Sequence, residues 1–446
     1  MSRTAVQASE FGQLRSSAPV IDRFTLVPLL ACFYATVAAP VFYFATAPEA
    51  HTLQAIMETR WEHRIFWPAM TAISLILVAQ NFVRLTTLRW PLHIIALALC
   101  LAFAGASVLW ALYPQTSFMR FAQQAMVLTS VVVPAMLAAR TVDLMRGVFL
   151  CFAIGAILNV FFVLNNPADL VNAYNGYPGY FMGKNYLGEF AAATLFLALH
   201  EVLRSGTRRL LGIVFAVVAA VLLFVANSKT AMGLAIVVPA LAGLMLIVRR
   251  LTGISPAVFL LCVPVCYLIV SSISGISMNH ISYLLYGDST FTGRTLIWDF
   301  ANYEIGRRPL FGWGYQSFWL VGPDSPSIVE APGWIKGMPN SHNGYVDIMV
   351  ELGYIGLTLV LGFVVATFHA SGRVAERDAA RGWLLLSLAL FVTMYNFLES
   401  LWMRGFEFLW VLFVIVAAEA ARCTAFPSTS RGVDGRHRNR PTPTSY

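Results

Sequence analysis

Twelve apolar stretches follow one another along this chain, centred on approximately 24–46, 65–83, 91–112, 118–139, 147–164, 186–203, 210–227, 231–248, 256–276, 345–369, 383–400 and 406–421. Most approach the roughly 20 residues that carry a helix across a bilayer. In hydrocarbon every backbone polar group must be satisfied within its own segment, so such runs can only be helices. The composition agrees: 58% of the 446 residues are hydrophobic and 12% are charged, about half the charge of an ordinary soluble domain. The chain therefore reads as an all-α polytopic membrane protein with about twelve transmembrane helices.

Arginine and lysine placement orients the bundle. With the N-terminus inside, the inner segments hold Arg3, Arg15, Arg23, Arg84, Arg89, Arg140, Arg146, Arg204, Arg208, Arg209, Arg249, Arg250, Arg373, Arg377, Arg381, Arg422, Arg431, Arg436, Arg438 and Arg440, which is 20 of the 30 cations. Arg60, Arg64, Arg120, Lys184, Lys229, Arg294, Arg307, Arg308, Lys336 and Arg404 fall outside. Both termini are thus expected in the cytoplasm, and the first run reads as a retained anchor. The net charge of +8 is spread over short loops and tails, which argues against a nucleic-acid partner. Five of the six cysteines lie in apolar runs, so no disulfide framework is implied. Cys262 and Cys266 share a helix face and read as buried packing.

The expected organisation is a cytoplasmic tail (1–23), nine spans (24–276), a long periplasmic loop (277–344), three spans (345–421) and a disordered cytoplasmic tail (422–446). The loop is the exception among short connections. It is rich in aromatics, Gly and Pro, and a loop of that length is usually functional. Within it, Arg294 to Arg308 reads as an amphipathic helix starting near Thr292 and stopped by Pro309. Its apolar positions Leu296, Ile297, Phe300 and Ile305 could lay it flat on the membrane surface.

Four groups gather on the outer side: Lys184 in GKNYLG, Lys229 in NSKTAMG, Arg294 in TGRTLIWDF and His342 in SHNGYVDIM. Each has a plain alternative. The cations can snorkel to headgroups, Arg294 can pair with Asp299 or another carboxylate, and His342 can be a capping or interfacial histidine. Together they point to an anionic ligand reached from the outer leaflet, and a lipid-linked diphosphate fits. Fixed cations would offset charge growing on that leaving group. An imidazole, with an ordinary pKa of about 6.5, can accept a proton from an attacking hydroxyl. No carboxylate cluster at metal-ligand spacing occurs in the outer segments, and Asp347 with Glu351 reads as polar partners of neighbouring spans. GWGYQSFW from Gly312 is not a dinucleotide fingerprint, and no phosphate-binding loop of the ATPase type is present.

The stretches GRTLIWDFANYEIGRRPLFGWGYQSFW from Gly293 and SHNGYVDIMVELGYIGL from Ser341, with GKNYLG and SKTAMG, resemble the O-antigen ligase and polymerase superfamily, in particular its succinoglycan-type exopolysaccharide-polymerase branch. The resemblance covers roughly residues 180–360. It implies a GT-C-like, metal-independent, inverting glycosyltransferase without cofactor, whose donor is an undecaprenyl diphosphate-linked glycan and whose acceptor is a second glycan. By the same resemblance His342 corresponds to the catalytic histidine and Arg294 to the loop arginine, while Lys229 stands where many members carry arginine and Lys184 joins the diphosphate set. Lysine keeps the charge at 229 and loses the bidentate fork.

Three readings remain open on sequence: a polymerase of lipid-linked repeats, a ligase that transfers glycan to lipid A-core, and a secondary transporter or flippase. The charge-poor midplane weighs against the last. A chain-length-regulating copolymerase is a candidate partner besides the lipid bilayer.

Overall fold

The structure is a computed structural model that describes residues 21–46, 60–139, 141–165, 176–275, 280, 283, 287, 290–291 and 293–424. All twelve apolar runs coincide with helices. They are α1 (Leu26–Thr46), α2 (Trp61–Gln80), α3 (Leu92–Ala106), α4 (Pro114–Leu137), α5 (Leu144–Asn165), α6 (Lys184–Val202), α7 (Thr207–Ala226), α8 (Lys229–Thr252) and α9 (Pro256–Ser274). The loop helix α10 (Arg294–Arg307) precedes α11 (Gly344–Ala375), α12 (Ala379–Tyr395) and α13 (Phe408–Thr424). Eight of them are long and apolar enough to cross a membrane: α1, α3, α4, α5, α7, α8, α9 and α11. The others are shorter or more polar, as α6 shows with Lys184, Glu189 and Glu201. This is an all-α, multi-pass membrane protein.

Packing follows the small and apolar faces. α13 is buried along almost its whole length, and α6 and α12 are nearly so. α6 packs on α7, α11 on α3 and α12, and α4 on α2 and α13. α9 sits at the periphery against α11, with most of its side chains facing outward. Cys262 and Cys266 are exposed there. The expectation of buried packing for that pair is therefore wrong, because α9 has protein on one side only.

At the end of the bundle away from the long loop, several arginines counted as topology signals are ion-paired inside the protein. Asp143 receives Arg208 at 2.8 Å and Arg381 at 2.6 Å. Arg381 also reaches Glu419 at 2.6 Å, which Arg422 meets at 2.7 Å, and Arg204 pairs with Asp378 at 3.2 Å. The cluster staples the starts of α5, α7 and α12 to the end of α13. Burial alone would raise the Asp143 carboxyl, but the two guanidiniums hold it well below the ordinary range.

The loop that precedes α11 has its own small core. Ile297, Phe300, Ala301 and Ile305 of α10 bury against Trp313, Phe318, Trp319, Val346 and Val350. The apolar side of α10 is thus taken by the loop's own aromatics and the first turns of α11, and is not left for the membrane surface. Of the four apolar positions, Leu296 alone is exposed. The observed start at Arg294 and end at Arg307, two residues before Pro309, match the expected stop. Thr292, the tails and most of 276–289 lie outside the described residues.

Candidate functional site

α11 is broken at Gly353, whose φ of 66° and ψ of −169° suit glycine. The break frees carbonyls that the glycine-rich segment fills. Trp313 N–H donates to Val350 O at 2.9 Å and Gly314 N–H to Glu351 O at 2.8 Å, while Tyr354 N–H donates to Pro309 O at 2.8 Å. A Cβ at Gly353 would stand 2.3 Å from Leu310 backbone, and one at Gly312 2.4 Å from Glu351 backbone. The glycines of GWGYQ therefore serve a backbone-to-backbone dock that fixes the loop on the first turns of α11.

His342 lies one residue before the cap of that helix. Asn343 is the cap, its side chain accepting from Tyr345 N–H at 3.0 Å and Val346 N–H at 3.2 Å. His342 itself is left-handed, with φ 51°, a conformation uncommon for a residue with a Cβ and concentrated at functional sites. Its N–H donates to Asn340 Oδ1 at 2.9 Å, and Ser341 Oγ donates to Asn343 O at 2.9 Å. Trp298 of α10 donates to Ser341 O at 3.0 Å, tying the arginine-bearing helix to the histidine turn.

The partner of His342 comes from a segment the sequence reading places within a span. α12 ends at Tyr395, not near 400, and residues 396–407 form a tight non-helical link to α13. Asn396 Oδ1 accepts from Leu401 and Trp402 N–H at 3.1 and 3.0 Å, and Gly344 N–H donates to Asn396 O at 2.8 Å. This holds Glu399 beside the histidine turn. Glu399 Oε2 lies 3.1 Å from His342 Nδ1, and Oε1 accepts from Arg294 Nη2 at 3.0 Å. Beside an ionised carboxylate Nδ1 carries the hydrogen, so Nε2 presents a lone pair. Arg294 thus pairs with a carboxylate other than Asp299, that of Glu399.

The same oxygen reaches the two lysine motifs. Asn185 Nδ2 donates to Glu399 Oε1 at 3.2 Å, and Ser228 Oγ donates to Asn185 Oδ1 at 3.3 Å. Asn185 follows Lys184 at the start of α6; Ser228 precedes Lys229 at the start of α8. Each of the four residues singled out by sequence is in this network or next to a member of it. Lys184 is half-buried and Lys229 exposed, and neither pairs with a carboxylate among the described residues.

Asp347 and Glu351 are polar partners, but of loop segments and not of neighbouring spans. Arg404 Nη2 reaches Asp347 at 3.0 Å and Glu351 at 2.8 Å, and Asp347 also accepts from Trp319 Nε1 and Ser341 N–H. Burial works against the Arg404 guanidinium, yet Glu351 and Asp347 more than offset it and raise its pKa. Beside this cluster opens a cavity of about 890 Å³. Tyr186, Asn340, Arg404 and Glu407 are in its wall.

Sequence reasoning missed Glu399, Asn185, Ser228 and Arg404. Asn185 and Ser228 stood inside the quoted motifs, one position from the lysines. Glu399 carried a weaker signal: a carboxylate at the outer end of an apolar run, on the side where cations had collected.

The described residues thus define a helical, multi-pass membrane protein with an imidazole, a guanidinium and a carboxylate held together where a folded loop meets the bundle. Residues 211–361 match the family model described as O-antigen ligase. The chain is 29% identical over 283 residues to the exopolysaccharide production protein ExoQ of Rhizobium meliloti (strain 1021). That match covers 60% of this chain and 62% of the relative's length. Both matches support a likeness to the O-antigen ligase/polymerase superfamily. The family match contains Lys229, Arg294 and His342 and stops short of Glu399.

Proposed function

We propose that this protein is a metal-independent, inverting glycosyltransferase of the bacterial inner membrane, which polymerises undecaprenyl diphosphate-linked oligosaccharide repeats at the periplasmic face. In this reading both termini are cytoplasmic, and the product is exopolysaccharide or O-antigen. The observation that carries it is Glu399, which joins His342 to Arg294 on one carboxylate.

His342 Nε2 takes the proton of an acceptor hydroxyl as its oxygen attacks the donor's anomeric carbon. The bond from that carbon to the diphosphate breaks, and its electron pair leaves with undecaprenyl diphosphate. Arg294, Lys229 and Lys184 hold the leaving group and offset its charge. Glu399 fixes the imidazole tautomer and stabilises the imidazolium, the role of an orienting carboxylate in other histidine-based sites. Asp347 and Glu351 are already engaged by Arg404, and Glu399 by Arg294 and His342, which supports a reading that needs no divalent ion.

The test is incubation of purified protein with lipid-linked repeat units in chelator, followed by sizing of the glycan. Long glycan still attached to undecaprenyl diphosphate supports the polymerase. The second reading, transfer to lipid A-core, draws on the description of the matching family, and modified core in the same assay would favour it.

A further inference from the structure

The cavity beside the histidine turn is lined by groups that the mechanism above does not use. Arg120 of α4 reaches into it, and among the described residues the one hydrogen-bond partner of its side chain is the backbone carbonyl of Gln316. The carboxylate of Glu407, just before α13, makes no hydrogen bond or ion pair with the described residues. Trp61 and Tyr186 add aromatic surface. A buried or half-buried polar group without a partner is costly unless something supplies one.

Charge in the wall is close to balanced. Arg60, Arg64, Arg120 and Arg404 stand against Glu62, Glu351 and Glu407, with Asp347 behind Arg404. Such a wall offers donors, acceptors and ring faces without a strong field of one sign. It suits a neutral polyhydroxyl ligand better than a second diphosphate, which would need uncompensated cations.

Position adds the second argument. Asn340, which holds the His342 N–H, and Tyr186, next to Asn185, belong to the cavity wall. His342, Arg294, Glu399, Lys184 and Lys229 do not. The cavity therefore adjoins the histidine turn through Asn340, apart from the cations grouped around Glu399. A single displacement with inversion needs the nucleophile and the leaving group on opposite faces of the anomeric carbon.

We propose that this cavity is the acceptor subsite, that it takes a neutral saccharide, and that Arg120 and Glu407 determine which acceptor is accepted. The proposal rests on the glycosyltransferase reading. The ligand's hydroxyls complete the hydrogen bonding of Arg120 and Glu407, and its ring stacks on the aromatic wall.

The test uses full-length purified protein with two probes. One is a lipid-linked repeat whose non-reducing end is capped by methylation, so that it can only donate. The other is a fluorescent glycoside of the oligosaccharide repeat released from the host's own polymer, which can only accept. Arg120→Gln and Glu407→Gln are expected to raise KM for the glycoside at least about tenfold, the cost of a charged hydrogen bond, with KM for the capped donor unchanged. Unchanged KM for the glycoside, or a rise confined to the capped donor, overturns the subsite. Direct binding of the glycoside, read by its fluorescence anisotropy, separates the two readings. Arg120-dependent binding without transfer by the wild-type protein would sink the glycosyltransferase reading and leave a saccharide site. Absence of glycoside binding by wild-type protein would sink the subsite. Melting temperatures of both variants exclude misfolding as the cause.

Discussion

Glu399 and His342 are 57 positions apart in sequence, and their side chains meet at 3.1 Å between Oε2 and Nδ1. The carboxylate comes from the link between α12 and α13, the imidazole from the turn that opens α11. Gly344 N–H donates into that link at Asn396 O and Glu399 O, at 2.8 and 3.1 Å, so the backbone sets the pair before the side chains meet. The other oxygen of Glu399 holds Arg294, so one residue fixes both the proposed base and a proposed leaving-group cation.

Glu399→Gln keeps the size of the side chain and removes its charge. Loss of a charge-assisted bond worth about 1.5–3 kcal/mol corresponds to a fall of roughly ten- to a hundredfold in the transfer rate. Glu399→Ala, which frees Arg294 as well, is expected to fall further. Single-turnover rates on lipid-linked repeats check the order.

Lys229 holds a position where a point charge is enough to attract phosphate but an arginine fork would also fit. Lys229→Arg should retain transfer. Lys229→Gln should lower it by about a hundredfold, the scale seen when one donor to a developing negative charge is removed. Both are read with saturating acceptor, so that the change reports on the donor.

Gly353→Ala is expected to abolish transfer although it substitutes none of the proposed catalytic residues. The left-handed backbone costs about 1–3 kcal/mol for an L-residue, and the new Cβ would meet Leu310 backbone at 2.3 Å. Undocking of the 309–314 segment would also release Trp313 and the core under α10. Gly306→Ala, on the exposed face of α10 with nothing within 4 Å, is the control and should melt at or above the wild-type temperature.

Asp143→Asn leaves Arg208 and Arg381 short of their shared carboxylate, and breaking a buried pair costs about 3–5 kcal/mol. The depressed Asp143 pKa sets the pH window. The stabilisation is complete above the unfolded value of about 3.9 and is lost as pH falls toward the folded one. The melting-temperature gap between wild type and variant should be constant from about pH 8 to pH 5 and shrink below about pH 4.

Much of this architecture was legible because lipid imposes a simple rule: each apolar run had to be a helix, and all twelve are. Lys184, Lys229, Arg294 and His342 were legible because cations and an imidazole on the cation-poor side invite a question. Glu399 was not, since a carboxylate at 399 in an apolar run looks like the end of a span. Only the stop of α12 at Tyr395 and the turn around Asn396 turn it toward His342. The apolar side of α10 misled for a related reason. Its pattern shows that Ile297, Phe300 and Ile305 must be covered, but not whether lipid or Trp313 and Phe318 covers them. The glycines at 312 and 353 likewise gain their meaning only once the two backbones are seen to touch.

The most direct test of the account is the transfer rate of His342→Gln, correctly inserted and purified, on lipid-linked repeats in the presence of chelator. Glutamine preserves hydrogen bonding to Glu399 but cannot accept the acceptor's proton, and the account predicts a fall of about 10²–10⁴-fold. Transfer at the wild-type rate would contradict it.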